Sequence, residues 1–86
     1  MSNLYTHPVR LLGIGTIIER AGHGRAKHYA DVSKGLMPPP VRRGTRCSRW
    51  VESEVDAVLR ARISGADDVE VKRLVVELVA GRKELH

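Results

Sequence analysis

Four arginines, Arg42, Arg43, Arg46 and Arg49, crowd around Gly44-Thr45 in the middle of this 86-residue chain. A guanidinium presents a fork of donors that matches two oxygens of a phosphate and enters a narrow minor groove readily, so the cluster is suited to gripping a polyanion. Contacts of that kind contribute affinity more than choice of sequence. Side chains alternate along extended chain, which lets only part of the set face one partner. A second set lies upstream: Arg25, Lys27, Asp31 and Lys34, in a run without Pro or Gly. Helical spacing puts Lys27, Asp31 and Lys34 on one side, Tyr29 and Val32 on the other, and Arg25 near the start. Arg25 and Lys27 can donate to guanine or phosphate acceptors, and Asp31 can accept from a cytosine amino group. Asp31 also stands four residues from Lys27 and three from Lys34. At that spacing exposed pairs contribute about 0.2–0.5 kcal/mol each, so plain surface pairing accounts for it as well.

Other chemistry finds little support. His7, His23, His28 and His86 do not follow metal-ligand spacing, and no carboxylate pattern joins them. Cys47 is the single cysteine, so no disulfide can form within the chain; it reads as a small packing residue. No nucleophile with its base, carboxylate pair or phosphate-cradling glycine loop is recognisable, and neither enzymatic activity nor a cofactor is expected.

The elements that must hold the basic residues follow from turn and capping signals. Leu11 to Gly15 is a short apolar segment, either a strand fragment or a lead-in packed under the first helix. Thr16 precedes Glu19 by three residues, the spacing of a capping box, and predicts a helix that starts there and ends at Gly22. A second helix is predicted from Arg25 to Lys34, with Gly35 as its left-handed stop. Two short helices joined through Gly22-His23-Gly24 make a helix-turn-helix arrangement. Met37-Pro38-Pro39-Pro40 then forces extended chain. Val41-Arg42-Arg43 and Cys47-Ser48-Arg49-Trp50 flank Gly44-Thr45-Arg46 as a β-hairpin with a three-residue tip. Trp50 is expected to bury its indole where the hairpin rejoins the helices.

Ser53 to Asp56 carries a second capping signal, followed by Val55, Val58, Leu59 and Ile63 at helical spacing as far as Ser64-Gly65. A last helix over 67–82 opens on acids and places Val71, Leu74, Val75, Leu78 and Val79 on one stripe. That stripe either packs on the preceding helix or forms a dimer or partner contact, for which Val71, Leu74, Val75 and Leu78 are the candidates. The chain thus divides into a loose lead-in over 1–10, a compact unit over 11–64 and an amphipathic C-terminal helix within 65–86.

Charge separates the same halves. Lys and Arg minus Asp and Glu gives 9 − 2 = +7 for residues 1–50 and 6 − 8 = −2 for residues 51–86, within a net +5. A basic surface most often meets nucleic acid, since each neutralised phosphate releases counterions. Double-stranded DNA is favoured over RNA because Tyr5, Tyr29 and Trp50 are too few to stack bases. With no export signal or membrane-length apolar run, the expected setting is the cytoplasm of a bacterium, at its nucleoid, without membrane contact.

Ile17 to Gly22, Tyr29, Lys34-Gly35-Leu36-Met37-Pro38-Pro39-Pro40-Val41, Gly44-Thr45-Arg46 and Trp50 to Asp56 together resemble the AlpA family of prophage regulators, related to phage excisionases. The resemblance covers residues 11–63. It implies a mainly α fold with a small β-hairpin, the MerR-like winged helix-turn-helix, with the second helix in the major groove and the hairpin wing on the backbone or minor groove. It further implies control of transcription or of the direction of recombination. An excisionase would bend DNA and contact an integrase; a regulator would act at a promoter, as a homodimer or cooperative oligomer. The family's second helix usually opens with Ser or Thr, whereas here His23 to His28 intervene, and His28 replaces an apolar residue. His28 is therefore expected to be half-buried with a hydrogen-bond partner, and base preference does not transfer.

Overall fold

The computed structural model describes residues 9–42 and 48–85. It is mainly helical with a small antiparallel sheet. Strand β1 (Leu11–Leu12) leads into helices α1 (Ile14–Ala21) and α2 (Arg25–Lys34); strands β2 (Val41–Arg42) and β3 (Ser48–Val51) follow, then helices α3 (Glu52–Ile63) and α4 (Asp68–Gly81) and a 3-10 turn over Arg82–Leu85. The hairpin tip, with Arg43, Arg46 and Cys47, lies outside the described residues, as do residues 1–8 and His86.

The segment before α1 resolves as a strand. Leu11 pairs with Val51 and Leu12 with Trp50, so β3 is the middle of a three-stranded sheet ordered β1-β3-β2, with Val41 opposite Arg49 and Arg42 opposite Ser48. This pairing moves two helix starts away from the positions that capping signals predict. Helix α1 begins at Ile14, with Gly13 as a cap that offers no side chain, because the chain leaves the strand at Leu12 and turns at once; Thr16 and Glu19 form no capping box. Helix α3 begins at Glu52, directly on the end of β3, because the Glu52 N–H donates to the Arg10 carbonyl at 2.9 Å and extends the sheet by one bond; Ser53 is not its cap. Arg10 also stands 3.7 Å from Glu52 through its guanidinium, which ties the end of the lead-in to the fold.

Three left-handed glycines close helices where predicted. Gly22 donates to the Ile18 carbonyl; after α2, Leu36 donates to Asp31 and Gly35 to Val32; after α3, Ala66 donates to Ala61 and Gly65 to Arg62. The last two are Schellman motifs, which satisfy carbonyls that a helix end leaves open. Helix α4 carries a full capping box, with the Asp67 carboxylate accepting from the Glu70 N–H at 2.9 Å.

The core is aliphatic around one aromatic residue: Leu12, Ile17, Met37, Trp50, Val55, Val58, Val71, Val75 and Leu78 are buried together. Trp50 is fully buried and its Nε1 donates to the Pro38 carbonyl at 3.1 Å, which fixes the proline segment beneath the hairpin. The stripe of α4 lies against this core: Val71, Val75 and Leu78 are buried and Leu74 is packed on it. These side chains, the expected candidates for a partner contact, are engaged within their own chain. Ile63, expected inward, is instead 85% exposed at the last turn of α3.

Ion pairs join the elements. Arg20 of α1 reaches Glu52 at 2.9 Å and Asp56 at 3.0 Å on α3. Glu54 is wholly buried and meets Arg82 through Nε at 2.8 Å and Nη2 at 2.6 Å, while Nη2 also donates to the Pro39 carbonyl at 2.7 Å. A buried carboxylate is tolerable only with such a partner. The pair locks the C-terminal end to α3 and to the proline segment.

Candidate nucleic-acid interface

Helix α2 owes its place to Trp50. The indole meets His28 with ring centroids 4.8 Å apart at 77° and Tyr29 at 5.9 Å and 65°, so the base of the hairpin presses on two consecutive residues of the helix. This rotates α2 relative to the wheel expected from its sequence. The inward residues are His28, fully buried, and Val32, packed on the core, whereas Tyr29 is 43% exposed. An aromatic edge contact with Trp50 satisfies Tyr29 while leaving much of its ring in solvent. The remaining surface of α2 is made of Arg25, Ala26, Lys27, Ser33 and Lys34, all exposed. Small residues between cations leave a helix face that can approach a flat or grooved partner closely.

The beginning of α2 is unusually open. Its cap, Gly24, supplies no side-chain acceptor, and its first turn holds no acidic residue. The first backbone bond runs from His28 to the Gly24 carbonyl, so the N–H groups of Arg25, Ala26 and Lys27 have no acceptor within the helix. Those donors, the positive end of the helix dipole and the charges of Arg25 and Lys27 all favour an anion at the same place.

The predicted contact residues divide by environment. Arg25 and Lys34 have side chains with no ion pair or hydrogen bond among the described residues. Lys27, with a 63% exposed side chain, bonds Asp31 at 3.1 Å, and Asp31 is only 15% exposed. Asp31 is thus turned toward its own chain and serves the surface pair rather than facing outward. Arg49 is half-buried: its guanidinium donates to the Ser48 carbonyl at 3.0 Å, and a Cβ placed on Gly13 would lie 3.6 Å from its Nη1. That arginine folds back over the start of α1 and does not extend freely from the hairpin. Arg42 lies in β2, and Arg43 and Arg46 lie outside the described residues.

Beside α2 a recess of about 270 Å³ opens toward α3, lined by His23, Lys27, Asp31, Leu36, Met37, Val58, Leu59 and Arg62. Arg62 is held there by Asp68 at 2.8 Å and the Ala66 carbonyl at 3.2 Å. The buried His28 presents Nδ1 to His23 Nε2 at 3.3 Å, and its own Nε2 has no hydrogen-bond partner among the described residues. Burial pushes its pKa below the ordinary 6.5, the neighbouring His23 adds to that, and Asp31 opposes it. The expected half-buried histidine is therefore more deeply placed than its sequence neighbours imply. No group of three or more His, Cys, Asp or Glu side chains suited to a metal exists among the described residues.

Two cations of the acidic half were not anticipated as neighbours of α2. Arg62 shares the recess with Lys27, and Lys72 of α4 comes to the end of α2, its Cγ 3.9 Å from where a Cβ on Gly35 would lie. The available signal was the position of Lys72 beside Val71 on the edge of the apolar stripe, which brings its stem toward whatever the stripe covers. No helix is long and apolar enough to cross a membrane among the described residues. No family model, curated protein or solved structure matches this chain.

Proposed function

We propose that the chain is a sequence-specific DNA-binding protein of the winged helix-turn-helix kind, with α2 in the major groove and the β2–β3 hairpin as a wing on the backbone or minor groove. The observation that carries this reading is the exposed face of α2: an N-terminus without a side-chain cap or acid, bearing Arg25 and Lys27, with Lys34 at the far end. Phosphate contacts from such groups position a protein on the duplex, and side chains of the same helix then meet base edges. A regulator of the AlpA type is the form favoured by the ordered resemblance of residues 11–63; an excisionase would use the same surface and add DNA bending and an integrase contact.

Selection from a random-sequence duplex pool tests the reading. An enriched motif is expected, with Lys27→Ala changing the preferred sequence and Arg43→Ala mainly reducing the salt dependence. Absence of binding to any duplex at low salt removes the proposal. A circular-permutation bending assay with an integrase-dependent excision assay separates the two forms: bending and excision identify the excisionase.

A further inference from the structure

The far end of α2 presents a different electrostatic problem from its beginning. A helix C-terminus carries about half a negative charge on its open carbonyls, which repels a phosphate unless cations are brought there. Leu36 and Gly35 cover the carbonyls of Asp31 and Val32. Lys34 lies in the last turn, and Lys72 arrives from α4, its aliphatic stem packed near Gly35. Both lysines are exposed, and neither side chain has an ion pair or hydrogen bond among the described residues. Two lysine side chains from elements far apart in sequence are therefore brought to one end of one helix, Lys34 by its place in the last turn and Lys72 by its stem beside Gly35. The neighbouring Arg73 is exposed too, but successive helix positions point about 100° apart, which turns it away from α2.

We propose that Lys72 joins Lys34 in gripping a DNA backbone phosphate at the C-terminal end of α2, so that α4 belongs to the nucleic-acid interface; this rests on the reading of α2 as the DNA-facing helix. The alternative role for Lys72 is structural, as a charge that steadies the end of α2, and the two roles have different readouts.

The test measures duplex affinity against salt for the full chain and for Lys72→Gln, Lys72→Arg and Arg73→Gln, with thermal unfolding of each. The expected result is a salt slope about one smaller for Lys72→Gln, unchanged for Arg73→Gln and retained in Lys72→Arg, with similar unfolding midpoints. A lower midpoint with an unchanged slope for Lys72→Gln overturns the proposal in favour of the structural role. An equal loss from Arg73→Gln overturns it as a mere effect of net charge. Failure of the unaltered chain to bind duplex removes the reading of α2 itself, whereas binding with a slope indifferent to Lys72 removes only the contact from α4.

Discussion

The two pairs of helices in this chain begin in opposite ways. Helices α1 and α2 start at glycines, Gly13 and Gly24, with no side-chain cap and no acid in the first turn. Helices α3 and α4 start among acids: Glu52 and Glu54 in one, Asp67, Asp68 and Glu70 in the other, where Asp67 completes a capping box. An acid at a helix N-terminus complements the dipole from within the chain, and in α4 the Asp67 carboxylate also takes the Glu70 N–H, while α3 has no side-chain cap. The second pair is therefore electrostatically closed, and it carries most of the core and the buried Glu54–Arg82 pair. Helix α2 leaves its first N–H groups without an acceptor inside the helix, whereas Arg49 lies over the start of α1. On the proposed reading, stability and recognition fall in different parts of a small domain.

The strongest way to break this division is to attack the closed half. Arg82→Ala leaves Glu54 buried without its cation and should destabilise by about 3 kcal/mol, the lower end for a broken buried pair because Arg82 is 20% exposed. That is a large part of the roughly 5–15 kcal/mol typical of a domain. Urea unfolding measures it; a loss below about 1 kcal/mol would mean that the pair is not a structural clamp.

A smaller effect tests the seat of α2. The folded chain holds His28 below its ordinary 6.5, so the unfolded chain takes up a proton there at a higher pH than the folded one. The contribution is fully present above about pH 6.5 and is lost as the pH falls from there toward the folded value. Unfolding at about pH 7.5 and about pH 5.5 should show the loss, and His28→Gln should flatten the difference. An equal decline in the variant would assign the pH dependence to other groups.

The smallest pair of effects sharpens the comparison most. Asp67→Ala should cost about 1 kcal/mol through the lost cap while leaving duplex affinity unchanged. Gly24→Asp should do the reverse. A Cβ at Gly24 meets nothing within 4 Å and its φ of −77° suits any residue, so a cap there should stabilise by a few tenths of a kcal/mol. The same carboxylate stands where a phosphate is to sit and should weaken duplex binding. If Gly24→Asp binds as tightly as the original, the open end of α2 is not the anion contact.

Much of the frame was legible in sequence because it rests on local rules. Gly22 and Gly35 stop their helices, residues 25–34 form one helix, and Trp50 seals the junction, all from turn chemistry and composition. Three misreadings share one cause, tertiary pairing that overrides a local signal. The Thr16 and Ser53 caps gave way to starts dictated by the β1–β3 pairing, and the wheel of α2 was rotated because Trp50 draws in His28 rather than Tyr29. At the candidate site, Arg25, Lys27 and Lys34 lie on the exposed surface as spacing implied. Arg49 and Asp31 turn toward their own chain, and Lys72 arrives from a segment with the opposite charge balance, where its place on the edge of the apolar stripe does not say which element it meets.

The central claim is that the open surface of α2 meets duplex DNA, and the most direct measurement is an amide-resolved NMR titration of the full chain with a duplex at low salt. The account predicts shifts concentrated at residues 25–34, the strands of the hairpin and Lys72, with the outer face of α4 around Glu70 and Glu77 unchanged. Shifts centred on that outer face with α2 silent, or no shifts at all, would contradict it.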